Sequence, residues 1–404
     1  MRRSNIPLLA AILAEAMGYG AIFGLLPDLQ DSYHFSKAGL GYIAAAAFPA
    51  ALVGQLGLSR YADRGYTRRL LWFGLATAAA GMLWFWLGDT LVEFVVARAL
   101  VGLGSGTFIP AARRVILSHD PDNPGAAIST AGAADIGGFL IGIPVAKGLE
   151  QVFDSPNTPF LALTLVLAAV GPLATLGPEP PRHAEAASRA EMRRVFSIPL
   201  ARAGIIIGLG FAAIIGTFDA IAARFLKDLG GSDDEMIIVM IALFVPLVAA
   251  MPFAGRMVDR VGPVHAGAAA LAVASPLVVC FGVTRDLVWV GALGAAVALA
   301  YSVVYTAGQS AVAGGTVPLG LSGAGQGAYE ATYAIGSMVA ALVAPRLYQR
   351  DDALAVWLAV AVASLVAGAG AWWTAGRSRH AHVHMADLHE PSDPPSPPDP
   401  PAVL

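Results

Sequence analysis

Four ionisable residues, Glu15, Arg98, Asp135 and Glu330, stand inside stretches of apolar sequence. A charge in hydrocarbon is costly, so such groups face a water-filled cavity or one another. An arginine that moves between carboxylates changes which of them holds a proton, which is the chemistry of proton coupling. Glu15 and Asp135 each lie nine residues into their segment, about 13 Å above its start, and Arg98 lies twelve residues before Pro110, about 18 Å above the same level. The difference is within an arginine's reach, so Arg98 is expected to pair with either acid. Two roles fit that pairing: a proton relay, or a static pair that fixes three helices.

Around these charges stand polar aromatic residues. Tyr19 follows Glu15 by one helical turn, and Tyr301, Tyr305 and Gln309 recur at every fourth position, on one helix face. Such a stripe suits either a cavity for partly apolar solutes or a hydrogen-bonded seam between helices. Tyr329 and Tyr333 flank Glu330. Asp219 has two open readings, a cavity acid or a partner of Arg224 at the far membrane edge.

The elements that must position these residues are apolar stretches near the 20 residues that span a bilayer. Twelve such stretches occur, at 6–26, 38–58, 70–87, 91–110, 126–149, 159–177, 203–223, 236–254, 264–283, 287–309, 324–345 and 353–375. Composition agrees, with 56% hydrophobic and only 13% charged residues, against about 25% charged in soluble domains. An all-α membrane protein of twelve transmembrane helices is expected. With the N-terminus in the cytoplasm, seventeen of the 25 Lys and Arg residues fall on the cytoplasmic side and seven outside, with Arg98 between them. Both termini are therefore expected inside, in a multi-pass protein of the inner, plasma membrane.

The chain also repeats itself. Asp63-Arg64 and Asp259-Arg260 are one acid-base pair written twice, 196 residues apart, each following an apolar stretch with a proline, Pro49 or Pro246. Glu330 follows Asp135 by 195 residues, nearly the same offset. Two homologous six-helix halves are implied, at 1–177 and 201–376, joined by a proline- and arginine-containing cytoplasmic linker at 178–200. The proline-rich tail, 377–404, is expected to be disordered. His380, His382, His384 and His389 at its start read as a solvated segment rather than a metal site, because a flexible tail supplies no fixed geometry. The tryptophans near segment ends, Trp357 among them, are expected as interface anchors.

Phosphate-binding, zinc-hydrolase and serine-hydrolase motifs are missing from the sequence, so no enzyme activity, cofactor or metal is expected and no nucleic-acid partner is implied. Any uphill transport must draw on a gradient.

Gly255, Asp259, Arg260 and Gly262 form a spaced glycine, acid, base and glycine; the first copy has Ser59 for the leading glycine and Gly65 one residue early, followed by Arg68 and Arg69. Arg98 precedes Gly102, Gly104 and Gly106, and Gly138, Gly142 and Pro144 follow in the next segment. This pattern resembles the major facilitator superfamily, over nearly the whole chain, and its drug:proton antiporter branch in particular. The resemblance implies two halves rocking about a central site where Glu330 joins Asp135, Glu15 and Arg98. It implies a conformational gate of Asp63, Arg64, Arg68, Asp259 and Arg260, and a monomer in the bilayer that exchanges protons for a small molecule. Proton-coupled efflux of an amphipathic organic compound leads, and an importer of a small metabolite comes second. A lipid flippase and a non-transporting receptor are further alternatives.

Overall fold

The computed structural model describes residues 5–58, 61, 65–119, 124–175, 189–319, 321–348 and 353–386. Asp63, Arg64, residues 178–188 of the linker and the tail beyond Ala386 lie outside the described residues. Among the described residues all twelve expected segments are helical apart from turns at Thr175 and Ala250, and no strand occurs. The first half holds α1 (Ile6–Tyr33), α2 (Lys37–Leu52), α3 (Thr67–Leu87), α4 (Leu91–His119), α5 (Pro124–Phe153) and α6 (Thr158–Ala174). A short helix α7 (Arg189–Val195) precedes α8 (Pro199–Asp228), α9 (Asp233–Ala249), α10 (Met251–Val261), α11 (Pro263–Val283), α12 (Leu287–Thr316), α13 (Ser322–Tyr348) and α14 (Ala353–Ala386). Among the described residues nine helices are long and apolar enough to cross a membrane, or ten if the bent pair α9 and α10 is one span. Of the remaining two, α6 is apolar but only 17 residues long, and α13 is longer but carries Gln326 and Glu330.

The halves repeat one packing scheme. In the first, α1 packs on α5 and α6, and α4 packs on α2 and α3. In the second, α8 packs in the same way on α13 and α14, and α12 on α9 and α11. Lipid tails are as apolar as leucine, so these seams form by close fit rather than by hydrophobic exclusion. A Cβ at Gly138 or Gly142 would overlap the carbonyl oxygen of Leu13 or Met17 on α1. One at Gly102 or Gly106 would overlap that of Ala47 or Ala51 on α2, and one at Gly216 that of Ser337 on α13. The glycines after Arg98 therefore form a close-packing face.

Prolines distort corresponding helices of the two halves. Pro49 removes a backbone donor from α2, and the chain continues as the wider π-helical turns Val53–Leu58. Pro246 lies near the end of α9, which meets α10 at a bend of 45°. The turn glycines also correspond, with φ of 89° at Gly65 and 88° at Gly262, a left-handed backbone that favours glycine.

Two expected boundaries move. The fourth segment does not end at Pro110; α4 runs on to His119, because backbone hydrogen bonding continues past the apolar residues through Arg113 and Arg114. Likewise α14 continues beyond Gly376 to Ala386, into the part read as a disordered tail. Trp357 is not an interface anchor, since it is 1% exposed and packs against Phe218, Phe225 and Phe281.

Candidate functional site

A cavity of about 470 Å³ lies between the two halves. Its walls combine Glu15 and Tyr19 of α1, Gln55 of the π-helical turn, Ser105 and Arg113 of α4, and Asp135 and Phe139 of α5. The second half supplies Phe211 of α8, Phe244 of α9, Tyr305 and Gln309 of α12, and Tyr329, Glu330 and Tyr333 of α13. The glycine seam between α1 and α5 brings Glu15 and Asp135 onto one wall. Pro49 acts similarly at the end of α2, where the widened turns present Gln55.

The expected partner of Arg98 is corrected. Its Nη2 donates to both oxygens of Asp219, at 3.1 and 3.2 Å, and its guanidinium lies 4.4 Å from the centre of the Tyr19 ring. Asp135 instead faces Arg113, at 3.7 Å. The reason is the extra length of α4. Arg98 stands 21 residues, about 32 Å, from the end of its helix, whereas Asp135 stands 11 residues, about 16 Å, from the start of α5. Asp219 is therefore not a partner of Arg224, five residues further along α8 and on another face. Arg224 pairs with Asp228 at 2.9 Å and Asp31 at 2.6 Å.

Arg98 and Asp219 tie the first half to the second. The arginine is 2% exposed, and its Nε and Nη1 have no hydrogen-bond partner. Beside Tyr19, on the cavity side, Glu15 is 1% exposed and its Oε1 also has no partner. Across the cavity, Glu330 accepts from Gln326 Nε2 at 2.9 Å, and the buried Tyr329 hydroxyl is unpartnered.

The stripe on α12 divides. Tyr305 and Gln309 line the cavity, but Tyr301 is 2% exposed and its hydroxyl is hydrogen-bonded to Ser364 Oγ of α14 at 2.8 Å. Tyr301 is thus removed from the central-cavity set, because one turn before Tyr305 the helix face lies in the packed core.

The bundle is closed at the end where α1 and α8 terminate. There Lys227 Nζ donates to Asp28 and Asp31, both at 2.8 Å, and Lys37 lies 3.7 Å from Asp228. Arg346 Nη2 of α13 donates to the Tyr42 hydroxyl of α2 at 2.7 Å. Each of these contacts joins one half to the other. The cavity lies toward the opposite end, where α5 and α13 begin. Of the expected gate residues, Arg68, Asp259 and Arg260 are exposed at that end, with Asp259 and Arg260 on α10.

A family model described as Major Facilitator Superfamily matches residues 8–225. The chain belongs to this superfamily. Two relatives from Bacillus subtilis (strain 168) are similar in sequence. Multidrug resistance protein 1 is 24% identical over 250 residues, 60% of this chain and 64% of that protein. Multidrug resistance protein 2 is 27% identical over 165 residues, 41% of each. The chain thus spans less than two thirds of either relative.

Solved superfamily folds align more completely. A variant of the nucleoside transporter NupG aligns with a TM-score of 0.77 at 11% identity, over 92% of this chain and 100% of that one. A bacterial homolog of the human lysosomal transporter Spinster, in an inward-facing and occupied conformation, aligns with a TM-score of 0.74 at 16% identity, over 92% and 96%. At these identities the likeness establishes the fold.

Sequence reasoning missed Arg113, the aromatic walls Phe139, Phe211 and Phe244, and the closed-end charges. Arg113 lies three residues past Pro110, beyond the apolar stretch 91–110.

Proposed function

We propose that this superfamily member is a secondary active transporter, and that it exports a small amphipathic organic compound in exchange for protons. The observation that carries the proposal is the cavity between the halves, in which three carboxylates, Glu15, Asp135 and Glu330, face a single Arg113 among aromatic walls. A carboxyl group in such surroundings is either protonated and neutral or ionised and paired with a cation. Substrate and proton competing for the same acids give antiport. The aromatic rings provide apolar contact and cation-π attraction for the remainder of the solute. The excess of acids favours a cationic head group.

Alternating access follows from the two ends. With the basic loops in the cytoplasm, the closed end faces outward and the cavity is reached from inside. Opening outward then requires the Arg98–Asp219 tie and the Lys227, Arg224 and Arg346 contacts to exchange for water. The energy comes from the proton gradient, with no chemical conversion of the solute.

The test is transport in proteoliposomes with an imposed pH gradient and a panel of solutes. Vesicles with the cytoplasmic face outward should accumulate substrate when the lumen is acid. Asp135→Asn and Glu15→Gln should each weaken accumulation, since an amide keeps the shape but carries no proton. Wild-type accumulation in both variants would overturn the proton-carrying role of Glu15 and Asp135 and leave it to Glu330 or Asp219. Uptake of a metabolite driven by the opposite gradient would support the importer reading, which the full-length likeness to a nucleoside transporter fold keeps in view.

A further inference from the structure

Beside the central cavity, a second recess of about 50 Å³ opens between α8, α9 and α12. Phe211 and Phe244 belong to the walls of both, so the two spaces adjoin. The recess exists because α8 and α9 each pack on α12 but scarcely on one another. Leu243 fits directly over Gly294, which leaves the floor to Val297 and Ala298. Among the described residues no charged side chain lines it. Its one polar residue, Tyr301, has its hydroxyl engaged by Ser364, outside the recess.

We infer that this recess is an apolar subsite for the hydrocarbon end of a substrate whose cationic head lies among Glu15, Asp135 and Glu330. The inference rests on the transport reading of the central cavity and adds to it where the apolar part binds and how long it is. The charged cavity and the uncharged recess are complementary to the two ends of one amphiphile, and Phe211 and Phe244 stand where those ends join. The volume admits roughly four water-sized groups, a segment of about four carbons. Each methylene that enters should tighten binding about fourfold.

The experiment is calorimetric titration of the purified full-length chain with alkyltrimethylammonium ions of increasing chain length. For the wild type, affinity should rise about fourfold per methylene and level off after about four. Ala298→Phe fills the recess and should flatten the rise. Leu243→Ala enlarges it and should extend the rise by one or two carbons, so the inference remains testable if Ala298→Phe does not fold. The same chain-length dependence in wild type and both variants, with the shortest member still bound, would overturn the subsite while leaving the central cavity standing. Failure of every member to bind would overturn the transport reading of the cavity and the subsite with it.

Discussion

Replacing either Arg98 or Asp219 should be far more damaging than replacing both. Arg98 is 2% exposed and Asp219 17%, so the pair lies near the buried limit, where loss of one partner strands a charge at a cost of about 3–5 kcal/mol. Arg98 already has two nitrogens without partners, so Asp219→Leu would take away the hydrogen bonds of its third and leave the guanidinium against the Tyr19 ring. Arg98→Met strands the carboxylate instead. The partial exposure of Asp219 lets water moderate the loss, which places each single variant near 3 kcal/mol. The double variant, with apolar side chains of similar size, should recover most of it. Unfolding of the four proteins in mixed micelles gives the coupling energy from a double-mutant cycle, and a magnitude of about 5 kcal/mol is expected, since the two single losses sum to about 6 and about 1 remains in the double. Single effects that add to within about 0.5 kcal/mol in the double variant would show that the two charges are independent and refute the tie.

Gly142→Leu should destabilise the protein by at least about 1–3 kcal/mol, because its side chain must displace the α1 backbone at Met17; unfolding in the same micelles measures it. Gly41→Leu places a side chain against the Ala341 carbonyl and Pro345 across the halves, and should shift the population toward the state open at that end, read as distances between spin labels at the exposed positions Ser32 and Asp234. Lys227→Ala should act in the same direction by about 1–2 kcal/mol, moderated by the 34% exposure of the lysine, and unchanged distances in both variants would contradict the latch. Tyr329→Phe should leave stability unchanged or raise it, since the buried hydroxyl has no partner to lose. A loss of substrate affinity in that folded variant would identify the hydroxyl as a ligand group.

The membrane segments were legible because hydropathy records which residues lipid can cover, and the repeat appeared in the acid-base pairs and their spacing. The structure adds the equal backbone angles of Gly65 and Gly262 and the matched distortions after Pro49 and Pro246. Several cavity residues were also legible, Glu15, Asp135, Glu330, Tyr305 and Gln309, since a polar group in an apolar helix is conspicuous. Their pairing was not. Depth along a helix follows from counting residues, but it depends on where the helix ends, and the end of α4 lies nine residues beyond Pro110. The direction in which Arg98 points depends on how α4 is rotated against α8, which no local signal specifies. Asp28, Asp31 and Lys227 were overlooked for another reason, since charges at helix ends are the usual flanks of a membrane segment. Only the tertiary fold distinguishes a latch from such a flank.

The glycine seams also imply an unusual map of mutational tolerance. Val92, Val362 and Val366 are large apolar residues at least half exposed, and in a bilayer exchange among valine, leucine and isoleucine at such sites merely substitutes one hydrocarbon for another. At Gly102, Gly106, Gly138, Gly142 and Gly216 even one methyl group meets a neighbouring backbone oxygen or its immediate surroundings. A soluble protein is guarded most closely at its bulky core side chains. Here the strictest positions are those with no side chain at all, and the greatest freedom belongs to the largest hydrophobes on the outside.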